Sequence, residues 1–79
     1  MRLSEGREGL KYCVYNIELP VALHRRLEVI GMTDGTTVEI LEKKKSGSMT
    51  VKFRGTRFAL GENIARGINV GGETTCRKL

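Results

Sequence analysis

One stretch, Leu19 to Thr36, constrains this chain more than any other, because it specifies a short helix, the end of that helix and the turn after it. Pro20 suits a first helical position, where its missing N–H costs nothing. Leu23, Leu27 and Ile30 then recur at helical spacing as an apolar stripe, with His24, Arg25 and Glu28 on the other side. Gly31 can take the left-handed conformation that stops a helix, which places Met32 to pack back onto Leu27. Asp34-Gly35 supplies the positive φ of a tight turn before Thr36 to Leu41 begin a β pattern. Gly31 and Gly35 are therefore read as backbone requirements rather than ligand contacts.

Around this unit the chain alternates as short strands do. LKYCVYNIEL, residues 10–19, is rich in β-branched and aromatic residues, and a bulge near Tyr15-Asn16 would put Val14 and Ile17 on one face. Val38 and Ile40 alternate with Thr37 and Glu39. Lys43 to Ser48 reads as a polar loop, after which Met49, Val51 and Phe53 alternate with Thr50, Lys52 and Arg54. Gly55-Thr56, with glycine first, predicts a two-residue type II′ hairpin, and Phe58 and Leu60 return on the inner face. Gly61 to Ala65 fits one helical turn, and Ile68 and Val70 offer a last strand.

Five short strands cannot leave two long edges exposed. The expected fold is mainly β: a small five-stranded SH3-like barrel with one short α-helix between strands 1 and 2 and a helical turn before the last strand. The helix is expected to plug one end. Residues 1–8 are expected to be a loose segment unless Leu3 packs back, 9–70 the barrel, and 71–79 a flexible tail.

Size and charge narrow the function. A chain of 79 residues forms one domain with a small core and no room for a deep substrate cavity, so a classical enzyme is disfavoured. A net charge of +5 suits an anionic partner. Two cysteines, Cys13 in a strand and Cys76 in the tail, are too sparse for the disulfide framework of a secreted domain and point to a reducing compartment. Glu5, Arg7 and Glu8 stand where a secretion signal needs an apolar run, and no stretch approaches the ~18 apolar residues that cross a bilayer. A cytoplasmic protein is expected.

With one histidine, His24, no Ser/His/Asp or Cys/His set can be assembled, and no C-x-x-C or H-x-x-x-H spacing exists. His24 reads first as a surface or partner residue. The basic side chains Arg25, Arg26, Lys43, Lys44, Lys45, Lys52, Arg54 and Arg57 have two readings, solubility with edge protection, or a partner surface. On the second reading Arg54 and Arg57 flank one turn, Lys52 shares the outward face of Arg54, and Arg25, Arg54 and Arg57 are the expected hot spots, joined by Lys52 and His24. An apolar rim around Ile64 and Met32 is the fallback. Aromatic residues to stack on bases are scarce, so no specific nucleic-acid binding is expected.

The runs RRLEVIGMTDGT, VEIL and GSMTVKFRGTRFALGENIARGINV resemble the FeoA family, small bacterial cytoplasmic proteins that accompany the ferrous-iron transporter FeoB. The resemblance covers residues 3–70 and rests on Arg26-Leu27, Gly31, Gly35 and Ile68-Asn69-Val70, positions that shape the fold rather than perform chemistry. The basic loop at 43–48 departs from the shorter connection expected of many relatives. The resemblance implies an accessory of ferrous iron transport that is not an enzyme, has no resident cofactor beyond transient transition-metal contact, and leaves room for weak self-association. Its implied partner is the cytoplasmic, GTPase-bearing region of FeoB, with recruitment to the inner face of the membrane. The same barrel forms the C-terminal domain of iron-dependent transcriptional repressors. The alternative is thus a stand-alone domain that binds a regulator or nucleic acid.

Overall fold

The computed structural model describes residues 1–72. The expected tail, including Cys76, lies almost entirely outside the described residues. One antiparallel sheet carries the strands β1 (Lys11–Ile17), β2 (Thr37–Lys43), β3 (Met49–Phe53), β4 (Thr56–Leu60) and β5 (Ile68–Gly72), in the order β4-β3-β2-β1-β5. The helix α1 (Val21–Ile30) is inserted between β1 and β2, and the short α2 (Glu62–Arg66) precedes β5. The sheet is not closed into a complete barrel, but its order, curvature at two bulges and insertions are those of an SH3-like domain.

Both bulges serve the core. In β1 the register slips between Val14 and Asn16, so Val14 and Ile17 both turn inward while Tyr15 faces out. In β2 a second slip falls between Ile40 and Glu42. Val14, Ile17, Val38, Ile40, Met49, Val51, Phe53, Leu60, Ile68 and Val70 are all buried, as alternation predicts. Phe58 is only partly buried and stacks on Phe53, ring centroids 4.6 Å apart.

The first eight residues are packed, not loose. Leu3 is fully buried within a short 3-10 turn, Leu3–Glu5. Met1 and Val70 exchange backbone bonds, the Met1 ammonium donating to Val70 O at 3.0 Å and Val70 N to Met1 O at 2.7 Å. This covers part of the outer edge of β5, a liability that five open strands would otherwise expose. Lys43 Nζ reaches back to donate to Ser4 O (3.0 Å) and Gly6 O (2.9 Å), and the Tyr12 hydroxyl accepts from Arg7 N. A single apolar residue in a polar run was too faint a signal for this packing.

The end of α1 follows the sequence reading closely. Gly31 is left-handed at φ 98°, Met32 N donates to Leu27 O at 2.8 Å, Gly31 N donates to Glu28 O at 3.0 Å, and Met32 is fully buried. The expected apolar stripe is narrower, however. Leu27 is buried and Leu23 half-buried, but Ile30 lies on the rim, because the chain leaves the helix there.

The hairpin β3-β4 turns one residue earlier than expected. Arg54 (φ 52°) and Gly55 (φ 79°) both have positive φ, and Phe53 pairs with Thr56, so the two-residue loop is Arg54-Gly55 with glycine second, a type I′ geometry. Positive φ at both central residues matches the twist of the flanking strands, and this outweighs the penalty on a non-glycine Arg54.

Candidate functional site

The basic residues singled out above occupy three separate shallow surfaces. Consecutive helical residues diverge by about 100°. His24 therefore points away from Arg25, toward a hollow lined with Glu28, Thr33 and Asp34. Its Nε2 lies 3.7 Å from Glu28 Oε1, one turn on. Two acids beside one imidazole make this corner mixed rather than basic, and among the described residues no group of three or more metal-ligating side chains comes together. Cys13, a strand-borne candidate ligand, is fully buried.

Arg54 is placed by the hairpin geometry in a different role from the expected one. Seated in the turn itself, it sends Nε to Gly31 O at 2.8 Å, where Thr36 Oγ1 also donates at 3.3 Å. The carbonyl that the helix end leaves unsatisfied is thus held by two side chains from outside the helix. Arg54 remains exposed, but its Nε–H is spent on latching the hairpin to α1. Arg57 does not face Arg54 across the turn; it pairs with Lys52, two like charges directly opposite on neighbouring strands. Lys52, Arg54 and Lys11 line one hollow that Glu39 partly neutralises.

The third surface is the outer face of α1. Arg25 and Arg26 line a shallow groove with Val29 and Ile30, and Val29 is 85% and Val21 67% exposed. Of the expected fallback rim, Met32 is fully buried and Ile64 is partly buried against the core; the exposed apolar surface is on the outer face of α1. The signal was present in the sequence. Val21, Ala22, Val29 and Ile30 are more apolar residues than one inward stripe needs.

The FeoA domain model matches residues 1–71, nearly the whole described length. The chain belongs to the FeoA family. Solved structures of FeoA proteins share its fold. The crystal structure of an iron uptake regulatory protein, FeoA, is 33% identical, covers 89% of this chain and 93% of its own, and superposes with a TM-score of 0.81. FeoA of Chlorobium tepidum is 28% identical over 92% of this chain and 70% of its own, TM-score 0.86. FeoA of Stenotrophomonas maltophilia, solved with zinc and described as a prokaryotic SH3 domain protein and candidate ferrous iron transport activating factor, is 30% identical over 90% and 89%, TM-score 0.78. A manganese-dependent transcriptional repressor, 21% identical and matched over 39% of its length at TM-score 0.80, shares the fold alone. No match is found among the curated proteins. This FeoA-family chain is thereby tied to ferrous iron transport, and among the described residues no helix is long and apolar enough to cross a membrane.

Proposed function

We propose that this FeoA-family protein is an accessory of ferrous iron uptake that works by protein–protein contact, docking on the cytoplasmic, GTPase-bearing region of a FeoB-type transporter. The observation that carries the reading is the family match across residues 1–71, borne by a rigid domain whose chemistry-bearing side chains lie on its outside. Docking, rather than turnover, is what such a surface can do. The described residues offer shallow hollows only, lined mainly by charged and polar side chains except where Val29 and Ile30 of α1 contribute, and the inward apolar residues of the sheet are consumed by the core. Any contact with a transition metal is transient, and cytoplasmic location with recruitment to the inner membrane face follows from the partner.

The test is binding of the purified domain to the cytosolic region of the ferrous transporter, read beside ferrous uptake in cells. Arg25, Lys52 and Arg57 are suitable for charge reversal because each is exposed. Arg54 needs separate treatment, since reversing it also removes the bond to Gly31 O. Loss of binding and of uptake together, with a melt no lower than that of the parent, is the expected result when Arg25, Lys52 and Arg57 are reversed together. An uptake defect without any binding by the parent domain would overturn the docking reading.

A further inference from the structure

The outer face of α1 carries apolar surface that nothing in the described fold covers. In projection at about 100° per residue, Glu28, Val21, Arg25, Val29, Ala22 and Arg26 follow one another around the exposed arc. All six are exposed, while Leu23 and Leu27 turn inward. Val21, Arg25 and Val29 form one row along the helix; Ala22, Arg26 and Ile30 form the next. Between them runs the groove lined by Arg25, Arg26, Val29 and Ile30. Neither arginine has a carboxylate partner among the described residues, where the ion pair found is His24–Glu28.

We propose that this strip is a docking site for an acidic amphipathic helix of a partner protein. Two parallel rows four residues apart form the groove into which a row of the same spacing on a second helix fits, and Ala22 lets the backbones approach. An apolar centre flanked by arginines has the composition of binding hot spots, and each guanidinium can take a carboxylate bidentately. Occupants of other chemistry fit less well. A second copy related by a two-fold axis would set arginines against arginines. An anionic bilayer would gain little, because the strip carries no Phe, Trp or Leu to insert and Glu28 borders it. The ten residues of α1 span only about 15 Å, which fits a small, reversible contact rather than an obligate one.

The inference rests on the preceding proposal for the identity of the partner, and it moves the energetic centre from the basic hairpin to the helix. The test titrates the cytosolic region of the ferrous transporter into the parent domain and into three variants: Val29→Ser, Arg25→Gln/Arg26→Gln, and Lys52→Gln/Arg57→Gln. Weakening of roughly ten-fold or more by each of the first two, with little change in the third, supports the strip. Undiminished binding by both helix variants overturns it and leaves the transporter reading standing. If the parent does not bind the transporter, that reading fails, and the strip is judged by two synthetic amphipathic helices with leucines at three- and four-residue spacing, one bordered by glutamates and one by lysines. Amide shifts confined to α1 with the glutamate peptide alone support the strip. No shift, equal shifts with both peptides, or a stronger response to phosphatidylglycerol vesicles overturns it.

Discussion

The bond between Arg54 and the end of α1 makes Gly31 sensitive for two separable reasons. Gly31 has φ 98°, where a side chain is strained by about 1 kcal/mol or somewhat more. A Cβ there would also lie 2.8 Å from Arg54 Cδ and 3.0 Å from Nε, so Arg54 must swing away and release Gly31 O. An exposed hydrogen bond of this kind contributes at most about 1 kcal/mol. Gly31→Ala should therefore cost about 2 kcal/mol, which for a domain of this size lowers Tm by roughly 8–15 °C. The second contribution can be removed independently. Arg54→Asn retains a residue tolerant of the left-handed conformation in a favoured Asn-Gly turn, while deleting both the clash and the bond. In that background Gly31→Ala should cost only the backbone share, about half as much. Urea and thermal unfolding of the four proteins, followed by circular dichroism, give the double-mutant cycle. Equal costs in both backgrounds would refute the latch, and a Gly31→Ala protein as stable as the parent would refute the helix-stop argument as well.

Lys43→Met removes the two bonds to Ser4 O and Gly6 O and should cost about 1–2 kcal/mol. Amide exchange should accelerate at residues 3–7 before the sheet, and uniform acceleration would count against a local clamp. Arg57→Glu converts the Lys52–Arg57 repulsion into an attraction and should stabilise the domain by about 0.5 kcal/mol at low salt, an effect that fades as salt rises; a destabilised variant would contradict the cross-strand register. Association with DNA or RNA should be weak and should collapse through the physiological salt range, because only phosphate neutralisation is available. Sequence-selective binding at physiological salt, measured by filter retention, would instead favour the regulator-like alternative.

The strands and the helix end were legible in the sequence because their signals are local. Alternation from Met49 to Phe53 and the pair Gly31-Met32 each settle a conformation from a few adjacent residues. The packed N-terminus was not, because the segment around Leu3 is held against β5 and α2 by Met1 and Arg2, whose partners Val70 and Arg66 lie more than sixty residues away in sequence. No window short enough to scan contains both sides of that contact. The hairpin stands between these cases. Arg54-Gly55 and Gly55-Thr56 each satisfy a two-residue turn by composition, and only pairing of Phe53 with Thr56 decides between them.

That one-residue difference has most of its consequence at the surface. With the turn at Gly55-Thr56, Arg54 and Arg57 would have stood side by side as a basic pair facing outward. With the turn at Arg54-Gly55, Arg54 is committed to the helix end and Arg57 is set against Lys52. The hairpin thereby loses its concentrated patch, while Arg25 and Arg26 of α1, beside exposed Val21 and Val29, are among the arginines whose side chains make no hydrogen bond or ion pair among the described residues. A residue already bonded within the domain must break that bond to serve a partner, whereas Arg25 and Arg26 give up only water. Since net binding energy is what remains after such costs, the helix face is the better-prepared surface of the two.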